Sequence, residues 1–285
     1  MKEFFNYYCN HDPKVVWFII SFIVLLSLIF RAMYVKSSKG TSKRDSGWQE
    51  RLRRELGILP SVWDNLTYGD RRAIRRLRSK CRSLGVEMEL AGSNSVPYPG
   101  GGSRVSGYFV GDDLGTKPKL CVAVGKPTSE WMTVLLHESS HMDQWKEKCP
   151  AWLEGFRDGV DVYDVLQEWI DGKRELSDPE LDDVIRRCVA IELDCEKRTV
   201  KKMMDCGMEW YTLDYVRKAN SYIWCYYMVK MRRRWYSVPP YELFEVWGPM
   251  PDRFMKVDDY LKMSWEMSMK FDVKCFGFRK IEVPS

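Results

Sequence analysis

Two of the three histidines in this 285-residue chain stand four residues apart, in the run His-Glu-Ser-Ser-His at 137–141. That spacing constrains the fold more than any other feature. Four residues is about one helical turn, so on an α-helix His137 and His141 are neighbours on one face, whereas on a strand they would lie about 13 Å apart. Trp131, Met132, Val134, Leu135 and Leu136 give the same segment an apolar flank. Residues 129–148 (SEWMTVLLHESSHMDQWKEK) therefore read as a buried helix, capped by Ser129 and ended by Pro150. The third histidine, His11, lies near the N-terminus. Any further partner for the pair must come from another residue type.

The pattern H-E-x-x-H is a metal motif because two imidazoles one turn apart can reach one ion, and the intervening glutamate can reach a water beside it. Zinc is the expected ion, with manganese or iron as alternatives. His137 and His141 are the first two ligands, and Glu138 is the general base. With histidine exhausted, the third ligand should be a carboxylate on a buried helix face. The segment 181–206 offers one. Leu181, Val184, Ile185, Cys188, Cys195, Met203 and Cys206 form an apolar stripe with Glu192 in its middle. A carboxylate there is costly unless paired or bound to a cation. Glu192 is thus the expected third ligand. Glu196, one turn on, is placed to hold the outer nitrogen of a ligating histidine. Asp194 points away. A buried salt bridge from Glu192 to Arg198 or Arg71, and exchanged roles for Glu192 and Glu196, are the competing readings.

H-E-S-S-H at 137–141 followed by E-L-D-C-E at 192–196 resembles the gluzincin metallopeptidases, which pair H-E-x-x-H with E-x-x-x-D on a second helix. The resemblance implies zinc held by His137, His141 and Glu192, base Glu138 and a supporting Glu196. The family's aspartate is replaced by Glu196. The likeness covers residues 105–200. It also implies an edge strand that pairs with an extended substrate. Arg104–Val110 is the candidate, with Gly107 admitting a second backbone. The strings LLHESSHMDQW, ELDCEKRTV and RKANSY further resemble uncharacterised H-E-x-x-H proteins of tailed bacteriophages. For the oxyanion donor, histidine is excluded by number. Tyr222, near Lys218 and Asn220, is the expected group, with Tyr215 and Tyr226 as competitors.

The rest of the chain supplies context. Residues 1–14 form a short leader. Val15–Phe30 carries no charge and, extended to residue 35, is long enough to cross a bilayer. Lysine and arginine accumulate after it, which predicts a single-pass anchor with the C-terminal part in the cytoplasm. Residues 36–47 read as a flexible basic linker. Residues 31–82 hold 15 Lys/Arg against 5 Asp/Glu. That surplus suits anionic lipid, and less well nucleic acid. Nine cysteines without a C-x-x-C pair argue against a disulfide scaffold or zinc ribbon. Gly100–Gly102 lacks the lysine of a phosphate loop.

The expected architecture is α+β: a transmembrane helix, then a zincin-like domain at 48–236 with a small N-terminal sheet and a helical C-terminal half. An extension at 237–285 packs on it. The expected activity is a membrane-anchored zinc metallopeptidase cleaving a peptide or protein substrate with a water activated by Glu138. The alternatives are an inactive zincin-fold module binding anionic lipid or nucleic acid, and another zinc hydrolase such as an amidase.

Overall fold

The computed structural model describes residues 43–99, 104–112 and 117–277. The chain divides into two units, residues 1–55 and residues 56–285. Of the first, one helix is described, α1 (Lys43–Glu55), in which Arg53 pairs with Glu50 at 2.6 Å. Helix α1 starts inside the stretch expected to be linker, so residues 43–47 are helical. The leader with His11, the expected anchor at 15–35 and the first part of the linker lie outside the described residues. Among the described residues no helix is long and apolar enough to cross a membrane. The longest, at 28 residues, carries acidic and basic side chains along its whole length. The expectation of a transmembrane first element, and with it a membrane-anchored, cytoplasm-facing protein, is corrected accordingly.

The second unit opens with two short-range signals that the sequence carries plainly. Helix α2 (Pro60–Asp64) begins on a proline whose missing N–H costs nothing there. Helix α3 (Tyr68–Ser83) is closed at its start by reciprocal bonds between Thr67 and Asp70. The chain leaves α3 through Gly85, whose φ of +70° is left-handed. It then forms β1 (Glu87–Ala91), β2 (Val96–Pro97), β3 (Arg104–Val105), β4 (Gly107–Val110) and β5 (Lys119–Ala123). β5 is central in a three-stranded sheet, parallel to β1 and antiparallel to β4. β2 and β3 make a separate two-residue ladder. The expected strand at 104–110 is thus broken at Ser106 into two strands with different partners.

Everything after β5 is helical: α4 (Thr128–Glu147), α5 (Pro150–Gly155), α6 (Val162–Ile170), α7 (Asp178–Asp205), α8 (Thr212–Arg232) and the short α9 (Phe244–Trp247), α10 (Val257–Tyr260) and α11 (Trp265–Phe271). Helix α4 starts at Pro127 without a side-chain cap, so Ser129 is inside the helix and not its cap. Helix α7 is fixed at its start by Ser177, Glu180 and Pro179. It is the axis of the fold: α4, α5, α6, α8 and α10 all pack on it. The main core forms where α6, α7 and α8 meet, around Leu166, Ile185, Cys188, Ile191, Ile223 and Val229. The expected C-terminal extension inserts Val246, Tyr260, Phe271 and Phe276 into that same core.

The fold class is therefore corrected from α+β to mainly helical, with 64% helix and 8% strand among the described residues. Strands of two to five residues form only a small cover on one side of α4, and helix–helix contacts supply the core. Short alternating runs suggest a larger sheet than forms here, which is three strands beside α4, with Val96 of the β2–β3 ladder packed against Tyr108, Cys121 and Ala123.

Gly107 has a specific reason. A Cβ there would lie 2.7 Å from Val134 Cγ1 on α4 and 3.1 Å from the Cys121 carbonyl oxygen. The residue lets α4 sit down on the edge of the sheet; the close approach is by this helix, not by an incoming backbone. Gly107→Ala is expected to destabilise the protein by about 1–3 kcal/mol through overpacking. Chemical denaturation should show the loss as a lower midpoint with an unchanged slope.

Candidate metal centre

Helices α4 and α7 face each other across a polar seam, and the seam contains the motif. One turn apart on α4, His137 and His141 turn their Nε2 atoms towards one another at 3.2 Å. From α7, the Glu192 Oε2 atom lies 3.8 Å from each of those two nitrogens. Three atoms with these separations have a common centre about 2.1 Å from each, the bond length zinc takes with imidazole and carboxylate. Glu192 is 3% exposed, and its Oε2 is a buried oxygen without a hydrogen-bond partner. An orphaned buried carboxylate oxygen costs stability unless a cation meets it. Its other oxygen, Oε1, accepts from the Tyr163 hydroxyl at 2.8 Å and the Tyr226 hydroxyl at 3.3 Å. Burial above all pushes both phenols well above their ordinary value, so they stay donors. The carboxylate is thus clamped through one oxygen and left open through the one that faces the imidazoles.

The outer ring nitrogens are held as well. His137 Nδ1 is 3.2 Å from Glu196 Oε1, and the Tyr215 hydroxyl donates to Glu196 Oε2 at 2.5 Å. His141 Nδ1 is 2.8 Å from Gln144 Oε1. Burial alone would keep both rings neutral. For His141 it wins and lowers the pKa. For His137, burial is outweighed by Cys195 and Glu196, which raise the pKa well above the usual histidine value in the metal-free protein. Glu138 is raised by burial, against the pull of His137 and of the Phe109 backbone N–H, which donates to its carboxylate. That N–H belongs to β4, an edge strand of the three-stranded sheet.

The structure therefore brings together His137, His141, Glu192, Glu196 and Glu138, and it disposes of the salt-bridge alternatives for Glu192. Arg198 pairs with Asp194 at 2.7 Å and Glu147 at 2.6 Å. Arg71 donates to the Trp63 carbonyl and lies over its ring. Part of the basic surplus on α3 is also used internally, since Lys80 pairs with the buried Asp143 at 2.6 Å. Tyr222 stands one step back: its hydroxyl meets that of Tyr226 at 3.2 Å. The two competing tyrosines are the ones in contact with the carboxylates.

Three participants escaped the sequence reading. Gln144 lies at i+3 from His141, a spacing that could have flagged it. Tyr163 comes from another helix and leaves no local signal. By spacing alone Cys195 belongs to the apolar stripe. Its sulfur lies 3.6 Å from His137 Nδ1 and 4.0 Å from Nε2, and its thiol faces the His137 carbonyl at 3.4 Å. His137, His141 and Cys195 together could also hold an ion. Burial pushes the Cys195 thiol up to about 12, and its sulfur lies nearer the outer nitrogen of His137 than the inner one. The orphaned Glu192 oxygen is the better donor.

The site is thus a buried His/His/Glu group able to hold a metal ion. No protein-family model, no curated protein and no solved structure matches the chain. The ligand choice has its own test. Zinc should raise the unfolding midpoint of the wild-type protein by mass action, about 2.7 kcal/mol at a hundredfold excess over Kd. Glu192→Gln should abolish that shift, whereas Cys195→Ser should retain it. The reverse outcome would make the thiol the ligand.

Proposed function

We propose that this protein is a zinc-dependent hydrolase of the peptidase type. The observation that carries the reading is the Glu192 Oε2 atom, buried, unpartnered and equidistant from two imidazole nitrogens, with Glu138 on the same helix turn. A zinc ion held by His137, His141 and Glu192 supplies Lewis acidity towards a carbonyl and a water.

The chain's own residues do the rest. Glu138 accepts a proton from the attacking water and passes it to the leaving amine. Burial raises its pKa, which favours return of the proton over permanent ionisation. Glu196, backed by Tyr215, holds the outer nitrogen of His137 and so makes that ring a stronger donor. β4 lies at the margin of its sheet and turns the Phe109 N–H towards Glu138. An extended peptide laid along β4 would place its scissile bond beside this glutamate. Peptide is favoured over other acyl compounds because strand addition needs a backbone with regularly spaced donors and acceptors.

Glu138→Gln should bind zinc as tightly as the wild type and lose peptide cleavage by a factor of about 10²–10⁴. A peptide-library digest read by mass spectrometry, with zinc titration of the same samples, checks both halves. Equal cleavage by the two proteins removes Glu138 as the base. An intact zinc site without cleavage of any peptide by the wild type would favour a binding module.

A further inference from the structure

The histidine pair has two different outer partners, and the neutral one has a consequence of its own. Gln144 is fully buried on α4. Its amide nitrogen donates to the Ile191 carbonyl at 2.9 Å and to Asp194 Oδ2 at 2.9 Å. Both are acceptors and neither can donate. An amide has two N–H bonds, and here both are committed to α7. The amide cannot be turned over, because that would set its oxygen against a carbonyl and a carboxylate. Its oxygen must therefore face His141 Nδ1, 2.8 Å away. An oxygen that only accepts demands a hydrogen on Nδ1. The neutral ring then carries its lone pair on Nε2, the atom that faces His137 and Glu192.

Asp194 completes the arrangement from behind. It is gripped by Arg198 Nε at 2.7 Å, and Arg198 is held by Glu147 at 2.6 Å. With those oxygens fixed, the amide has one orientation only.

We propose that Gln144 is the positioning residue that locks His141 in its Nδ1–H tautomer, and that Asp194 locks Gln144 in turn. Residues on α7 other than the carboxylate ligand thereby set the ligand state of a histidine on α4. The inference deepens the metal-centre reading and rests on it for its purpose, but the tautomer itself is a property of the metal-free chain.

The scarcity of histidine makes the test direct. Protein labelled with nitrogen-15 in its three histidines, stripped of metal and held near neutral pH, should show His141 in long-range nitrogen–carbon spectra as a single Nδ1–H tautomer. The His141 signals are assigned by their loss in His141→Asn. Gln144→Met, which keeps the volume and removes the acceptor, should give mixed tautomers and a zinc Kd about 10–100-fold weaker. Asp194→Ala, at a partly exposed position, removes one of the two acceptors that fix the amide and should also admit the second tautomer, so it serves where the methionine variant does not fold. An Nε2–H ring in the wild type, or a single Nδ1–H ring surviving in Gln144→Met, overturns the proposal. A wild-type protein with the Nδ1–H ring that fails to bind zinc leaves the assignment standing and sinks the metal reading instead.

Discussion

The contact between α4 and α7 is what the rest of this structure depends on. It is a polar seam inside an apolar protein. Ser139, Ser140, Gln144, Glu192, Glu196 and Thr199 are all buried there. Buried polar groups cost several kcal/mol each when unpaired, and about 0.5–1.5 kcal/mol is returned by each hydrogen bond made. Such a seam adds little net stability but tolerates only one register. Thr199 donates to the Ser140 hydroxyl at 3.1 Å, the Lys202 ammonium bonds Ser139 at 2.8 Å and pairs with Asp143 at 2.9 Å, and Gln144 reaches Ile191. Slide one helix by a turn and every one of these groups loses its partner. The histidines and Glu192 sit in the same seam, so the geometry of the candidate site follows from helix register.

The apolar parts of the fold support that register from both sides. The small sheet lies against one flank of α4, brought close by Gly107. Helices α6 and α8 pack on α7, with the hydroxyls of Tyr163, Tyr215 and Tyr226 reaching back into the seam. A tyrosine suits that place because its ring can be buried while its hydroxyl serves a carboxylate. The aromatic richness of the chain thus has a local use, which is to clamp two acidic side chains in an otherwise dry region.

What was legible in the sequence was whatever depended on local spacing or on the cost of burying charge. His137 and His141 announce themselves by i,i+4 spacing. Glu192 could be picked out because a carboxylate in an apolar stripe needs a cation, and Glu196 because it lies one turn on. The helices that follow Thr67 and Ser177 start on short capping patterns, T-x-x-D and S-x-x-E, which are local in the chain. What stayed hidden depended on contacts between distant elements. Tyr163 touches Glu192 across 29 positions of sequence, and no periodicity encodes that. The fold class is hidden for the same reason: alternation in a four-residue run shows a half-buried strand, but not whether the strand joins a large sheet or caps a helix.

Asp194 shows the limit most sharply. By helical angle it points away from the stripe that carries Glu192. Its oxygen instead accepts from the Gln144 amide, which faces His141. A helix wheel sorts residues by direction from one axis, but α4 meets α7 over a width of more than one stripe. A residue at the margin of that contact can still reach a side chain from the neighbouring helix. The residues that orient a buried ligand therefore belong at the edges of the stripe that carries it. They need not be acidic or histidine themselves; they need only present an acceptor whose own orientation is fixed by others. Glutamine meets that requirement with a neutral side chain. It adds no further charge beside those that Glu138, Glu192 and Glu196 can already carry.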